Sequence, residues 1–364
     1  MRKKSLAGCL LLAVLLFLQS ATMAQNRLKV VVAGLNHDHI HNILHAFREG
    51  RVTIIGIAEP SKALQQKFAK AYQLPDSLFY SDLPSALAAH PHPDAVLGYN
   101  EVGRHVDVVR ICAPRGIPVM VEKPLAATLA QASEIQALAG KYHVKVLTNY
   151  ETTWYASFHA LYQDLQADSI GPLKKLVVHD GHQGPKEIGC SDAFLSWLTD
   201  PVLNGAGALN DFGCYGADLM TWFMQGKKPL AVTAVTRHYK PAVYPKVDDD
   251  ATILVEYPTC TGQLEGSWNW PFGIKDMELF GTTGYLHAFD GTHIYKRQRE
   301  NKVSTYDAPA LPAPINDPME YLAAVLQGKI SGDNDLSSLQ YNMVVMQILD
   351  AAKRSAASGK RIVL

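Results

Sequence analysis

Net charge is absent from this 364-residue chain, in which 34 Lys and Arg balance 34 Asp and Glu. A protein held to nucleic acid by phosphate contacts needs a basic excess, so no nucleic-acid partner is expected. Long apolar runs are also lacking once the first two dozen residues are passed. That excludes a membrane-spanning helix, which needs about 20 consecutive apolar residues, and with it an integral membrane protein. Cysteine is scarce. Beyond Cys9, the four cysteines Cys112, Cys190, Cys214 and Cys260 follow one another at intervals of 78, 24 and 46 residues, a spacing that matches no metal framework. In a chain of this length they are expected to be buried and free. Internal repeats and low-complexity segments are missing too. What is present is an apolar fraction of 48%, enough for folded cores, and a length that suggests two domains at roughly 150 residues each.

The amino terminus has its own pattern. Arg2, Lys3 and Lys4 precede an apolar run from Cys9 to Leu18, and small residues fill 21–24. This describes a secretory signal peptide over 1–24. Leu6-Ala-Gly-Cys9 lies ahead of the apolar run, the wrong side for a lipoprotein box, and Arg2 is followed by lysine rather than a second arginine. Cleavage after Ala24 would leave 31 basic against 34 acidic residues. The expectation is an exported protein, periplasmic or secreted.

From residue 25 to 148, short β-branched runs alternate with helical patterns: strands at 28–34, 52–58, 94–98, 118–121 and 144–148, helices near 40–47, 63–72, 106–112 and 130–142. Alternation of this kind argues a doubly wound parallel sheet, whose first strand–helix turn receives a dinucleotide pyrophosphate. Here glycine is the missing residue. The turn reads Gly34-Leu-Asn-His-Asp-His39, with Asn36 and His39 where the fingerprint has its second and third glycines. Glu59, at the end of the second strand, is placed to accept hydrogen bonds from an adenosine ribose and to disfavour a 2′-phosphate, hence NAD over NADP. His37, His39, His41 and His45 invite a metal reading, but nothing downstream supplies an obvious further ligand. They are read as helix-entry histidines that bond the backbone or line a ligand cleft, with no metal.

Val121-Glu122-Lys123-Pro124, followed by Val-Lys-Val-Leu-Thr-Asn-Tyr (144–150), resembles the Gfo/Idh/MocA oxidoreductase family. A second block, Gly205-Ala-Gly-Ala-Leu-Asn-Asp-Phe-Gly-Cys-Tyr-Gly-Ala-Asp218, is similar to the family's glycine-rich lead into Asp-x-Gly-x-His/Tyr-x-x-Asp, and 351–364 is similar to its last helix and strand. The resemblance implies an α/β chain. Its parts would be a Rossmann-type NAD(P)-binding domain (25–148) and a C-terminal α+β domain (149–364) with a large, mostly antiparallel open sheet through which copies would pair. Lys123 takes the catalytic lysine position, with Asp211 and Tyr215 on the second block and tyrosine where most members have histidine. Gly34, Asn36, His37, Glu59, Asn100, Glu122 and Lys123 form the expected cofactor set.

The chemistry points the same way. Oxidising a secondary alcohol removes its hydroxyl proton as hydride leaves the same carbon. Tyrosine, with a pKa near 10, is a poor base at neutral pH unless a neighbouring cation lowers it, the role expected of Lys123. A helix over 209–224 would set Asp211, Tyr215 and Asp218 on one face. In the second domain, period two puts Trp268 and Trp270 on one strand face, open to a sugar ring or a protein partner. His182, Tyr150 and Glu151 are further substrate candidates, while Asp248-Asp-Asp250 reads as solvated. The expected activity is hydride transfer between tightly bound NAD and a sugar, glycoside or cyclitol. The alternatives are glycoside cleavage through transient oxidation and a secreted binding protein on the same fold.

Overall fold

The computed structural model describes residues 27–364; the leader expected over 1–24 lies outside the described residues. The chain first forms six strands, β1 (Lys29–Ala33), β2 (Thr53–Ala58), β3 (Phe79–Tyr80), β4 (Ala95–Gly98), β5 (Val119–Glu122) and β6 (Val146–Asn149). They make one parallel sheet in the order β3-β2-β1-β4-β5-β6. Between them run α1 (Ile40–Arg48), α2 (Lys62–Tyr72), α3 (Leu83–Ala89), α4 (His105–Cys112) and α5 (Leu129–Tyr142). Strand direction of growth reverses between β1 and β4, and the crevice beyond their carboxyl ends is where such sheets bind ligands. Alternate residues of each strand serve opposite faces. Val31, Val96 and Val119 pack with α3–α5, whereas Val30, Val32 and Leu97 pack with α1 and α2.

After α6 (Ala156–Gln166) the chain builds a nine-stranded sheet. Its strands are β7 (Leu173–Gly181), β8 (Ala231–Arg237), β9 (Asp250–Glu256), β10 (Thr261–Ser267), β11 (Ile274–Gly281), β12 (Gly284–Ala288), β13 (His293–Gln298), β14 (Ser304–Asp307) and β15 (Ile362–Val363). Only β7 and β10 pair in parallel; the remaining pairs are antiparallel. The segment between β7 and β8 holds α7 (Asp192–Leu198), α8 (Ala208–Asp211) and α9 (Gly213–Phe223), and the carboxyl end holds α10 (Pro318–Leu326) and α11 (Leu339–Ser358). Helices α9 and α11 cover the inner face of this sheet. Its outer face carries exposed Val235, Leu254, Phe280 and Phe289. No helix among the described residues is long and apolar enough to cross a membrane.

Four details differ from the sequence expectations. The helix expected over 209–224 is broken at Phe212 into α8 and α9. The Asp211 carbonyl accepts from the Lys123 ammonium at 2.9 Å, and the Tyr215 N–H bonds Phe212 O instead; a carbonyl drawn to a cation has left the i→i−4 ladder. Strand β10 ends at Ser267, so Trp268 and Trp270 do not share a strand face. Helix α10 packs by Met319, Leu322 and Val325 on the first sheet's core rather than on the second sheet. Asp248 and Asp249 are buried, not solvated. Asp248 accepts the Gly207 and Leu209 N–H groups at the start of α8, and Asp249 accepts those of Tyr239 and Lys240. Backbone donors, with the Asn269 amide added at Asp249, satisfy these two acids. The four cysteines are free, three of them buried.

Candidate active site

Lys123 follows the last residue of β5 and points out of the first sheet towards the second. Its ammonium bonds the Asp211 carboxylate at 2.5 Å and the Asp211 carbonyl, with both side chains buried. The other Asp211 oxygen accepts the Trp268 indole N–H at 2.9 Å. Burial alone would lower Lys123 and raise Asp211, but their mutual attraction outweighs it, so the pair stays fully ionised. Trp268 is wholly buried. The expectation of a sugar-stacking face is therefore replaced by a clamp on Asp211, a role fixed by where β10 ends.

Tyr215 lies beside this pair, but not as expected. The Lys123 ammonium sits 4.8 Å from the centre of its ring, and the Lys275 ammonium 5.0 Å from it. Cations over a ring face are held by the ring quadrupole. Two of the lysine's hydrogen bonds go to Asp211, none to the Tyr215 hydroxyl. Burial, with Glu151, Asp180, Cys214 and Asp211 nearby, pushes the phenol well above its ordinary value. The predicted lowering by Lys123 is thus overturned: the Tyr215 hydroxyl is a proton donor at neutral pH, not a phenolate. Asp218, two turns into the same block, is fully buried with neither carboxyl oxygen bonded, and burial raises it well above its ordinary value. It does not join the site.

At the dinucleotide turn, Gly34 has φ +92°, and a Cβ there would lie 2.7 Å from Asn100 backbone, so the tight-turn glycine is required. Glu59 is buried with both oxygens engaged, one by the Leu35 N–H at 2.8 Å and one by the Ser61 N–H at 2.7 Å. It braces the turn rather than standing free for a ribose. Asn36 gives its carbonyl to the Trp197 indole, and His37 is buried against Phe194 and Trp197, with Nδ1 accepting the His39 N–H. His37 is therefore packing between the turn and α7, not a free cofactor ligand. The carboxamide oxygens of Asn36 and Asn100 are buried without partners. A buried acceptor left unpaired is costly, and two of them beside the glycine turn fit a ligand rich in hydroxyl and amide donors, as a nicotinamide dinucleotide is.

Glu122 ends β5, bonded to His39 Nδ1 at 2.9 Å and to the Asn149 amide at 2.8 Å. Burial would raise it, but His39, Asn149 and Lys123 hold it below the usual carboxylate range. Ligating atoms of His37, His39 and Glu122 lie within 4.8 Å of one another. Glu122 is thus the further ligand that spacing did not reveal, although its hydrogen bond to His39 and the His37 contact already account for the arrangement. A cavity of about 310 Å³ opens beside them, bordered by His39, Ile43, Tyr99, Glu151 and Trp154.

The substrate candidates divide. Tyr150 is buried, with its hydroxyl on Asn342 at 3.0 Å and its ring edge-on to Tyr215; it is a wall, not a substrate contact. Glu151 is ion-paired with Lys275 and accepts the Tyr155 hydroxyl. His182 borders a cleft of about 500 Å³ together with Tyr155, Phe272, Lys275 and Phe289. Its Nδ1 accepts the Gly184 N–H, and burial pulls its pKa down to about 4, so the imidazole is neutral and offers Nε2–H to the cleft. Two residues were missed. Asp180 and Lys275 are direct cross-strand partners on the inner face. Leu176, Val178 and Asp180 share that face by period two, a signal legible in the sequence.

Residues 28–150 match the model described as "Oxidoreductase family, NAD-binding Rossmann fold", and residues 158–287 match the "GFO/IDH/MocA C-terminal domain". Trans-1,2-dihydrobenzene-1,2-diol dehydrogenase of Xenopus laevis is 25% identical over 310 residues, covering 82% of this chain and 88% of the relative. Among solved structures, aldose-aldose oxidoreductase of Caulobacter crescentus, complexed with glycerol, superposes with a TM-score of 0.78 at 18% identity, covering 93% of this chain and 100% of that one. An inositol dehydrogenase homolog of Azotobacter vinelandii, complexed with NADH and myo-inositol, gives 0.78 at 14%, covering 93% and 98%.

Proposed function

The chain belongs to the Gfo/Idh/MocA oxidoreductase family, and from that membership we infer that it passes a hydride between NAD and a secondary alcohol of a sugar, glycoside or cyclitol. One observation carries this reading: the buried Lys123–Asp211 ion pair, set against Tyr215 where the carboxyl end of β5 faces the second sheet. Breaking a buried pair is expensive, and keeping one at a strand end is what a charge-stabilising site requires. NAD, when bound, supplies the hydride acceptor; Gly34, Asn100 and Glu122 are the residues that would hold it. Two of the three ammonium donors of Lys123 serve Asp211, which leaves one for the substrate oxygen. That donor and the Tyr215 hydroxyl would stabilise negative charge on the oxygen as the carbon–hydrogen bond breaks. The same two groups return a proton in the reductive direction.

Export is part of the proposal. A protein sent out of the cytoplasm does not meet plentiful free NAD, so the cofactor is held tightly and recycled in place. The test is a fluorescence titration of the purified protein with NAD, followed by turnover on a panel of glycerol, myo-inositol, glucose and a simple glycoside. NAD binding and NADH formation with at least one of the panel are expected. Tyr215→Phe should lower turnover by about 100-fold or more and leave NAD affinity within a few-fold. A protein that neither releases nucleotide on denaturation nor binds added NAD would overturn the reading.

A further inference from the structure

The two cavities at the junction of the sheets share one boundary. Glu151 borders the cavity of about 310 Å³ on the His39 side, whereas Lys275 and Tyr155 border the cleft of about 500 Å³. The Lys275 ammonium bonds one Glu151 oxygen, and the Tyr155 hydroxyl donates to the other at 2.6 Å. The two partners come from different sheets. Glu151 opens the short turn after β6, two residues beyond the Asn149 that holds Glu122. Lys275 is the second residue of β11, on the inner face. Its ammonium stands 5.0 Å from the centre of the Tyr215 ring, which the Lys123 ammonium approaches at 4.8 Å. The Lys275–Glu151 pair therefore sits beside the proton donor and between the two spaces that substrate and nicotinamide would occupy.

A tie that only joined the two units would be closed to water. This one is open: the Lys275 side chain is 23% exposed and that of Glu151 45%, against 5% and 6% for Lys123 and Asp211. Bonding capacity is also left over. An ammonium has three donors and a carboxylate about four acceptor sites. Glu151 uses one donor of Lys275, and Lys275 and Tyr155 each use one site on the carboxylate. Among the described residues, Lys275 is the one lysine or arginine that borders the larger cleft. The acids bordering it are committed elsewhere, Asp276 to His179 and His287, and Asp290 to His293. A spare ammonium donor beside a spare carboxylate acceptor suits a hydroxyl group, which accepts from the first and donates to the second.

Resting on the oxidoreductase reading, we propose that Lys275 and Glu151 are specificity-determining residues that hold the hydroxyl next to the one oxidised, while Lys123 and Tyr215 hold the reacting oxygen. The two ammonium groups approach one tyrosine ring, so they are no further apart than those two distances together. Adjacent oxygens of a single polyol can bridge that gap. Holding the second hydroxyl orients the carbon that gives up its hydrogen, and orientation is a large part of the rate of such a transfer. An alcohol with no neighbouring hydroxyl leaves both charges without their partner, the loss by which a hydrogen-bonding site rejects an analogue. Because the pair is partly open to water, the discrimination is about 10- to 100-fold rather than absolute.

The test is a cycle between enzyme and substrate. The fastest-oxidised of glycerol, myo-inositol, glucose and the glycoside is compared with its deoxy analogues, each lacking one hydroxyl beside the oxidised carbon. The enzymes are the wild type, Glu151→Gln and Lys275→Met. In the wild type, loss of one such hydroxyl should lower kcat/KM by about 10- to 100-fold, mainly through KM. In either variant the parent substrate loses its advantage, and the same deletion should change kcat/KM by less than about 3-fold. Residues that only braced the two units would lower parent and analogue together. Discrimination that persists in both variants therefore overturns the proposal, as does a wild type that treats parent and analogues alike. Where turnover is too slow to rate, calorimetric binding of the same polyols to the NAD-loaded protein gives the same comparison. A wild type that neither carries nor binds NAD overturns the oxidoreductase reading instead.

Discussion

Lys123 has to be charged in a place where charge is costly, and Asp211 is what makes that possible. The ammonium and carboxylate meet at 2.5 Å with almost no exposure to water, and the Trp268 indole fixes the carboxylate from its other side. Such a pair contributes little net stability compared with an apolar replacement of both partners, but removing one partner strands the other. Lys123→Met should therefore lower the free energy of unfolding by about 3–5 kcal/mol and abolish turnover, measured by urea denaturation and by NADH formation. The double variant Lys123→Met, Asp211→Leu should recover much of the stability and none of the activity. The residues of this pair were legible in the sequence because each sits in a recognisable block. That the lysine would stand over the Tyr215 ring, leaving the phenol protonated, was not. It depends on which atom of Asp211 claims the ammonium, and spacing does not carry that.

Short helix α8 is the element on which the site depends, and it owes its position to a segment read as surface. Asp248, just ahead of β9, accepts the Gly207 and Leu209 N–H groups, so the second sheet anchors the helix that presents Asp211. Asp248→Ala leaves two buried donors unpaired. It should destabilise the protein by about 2 kcal/mol and reduce kcat, read by denaturation and by initial rates. Three acids in a row resemble a solvated turn unless it is known that a helix start approaches them. The break at Phe212 was invisible for a similar reason: the Lys123 ammonium and the Cys214 thiol both bond the Asp211 carbonyl, and spacing within 209–224 does not carry those contacts. By contrast, β1, β2, β4, β5 and β6 were readable because buried parallel strands are short, apolar and β-branched. The register of β7 against β11, which sets Asp180 opposite Lys275, requires knowing that two strands 95 residues apart in sequence are neighbours.

At the scale of the molecule, two sheets meet so that the carboxyl end of one faces the inner face of the other, and the ionisable side chains gather at that junction. Lys123, Glu122 and Asn100 come from the first sheet; Asp211, Tyr215, Asp180 and Lys275 come from the second unit. The degraded glycine turn is compatible with this arrangement because Gly34, the glycine whose φ is left-handed, is the one retained. The most direct measurement of the central claim follows the hydride itself. The protein is incubated with NAD and a polyol of the panel deuterated on its carbinol carbons, and the nucleotide is recovered for mass spectrometry. NADH one mass unit heavier than the unlabelled product, formed by the wild type and strongly reduced in Tyr215→Phe, is the predicted result. Nucleotide recovered without deuterium from every substrate of the panel would contradict hydride transfer as this protein's chemistry.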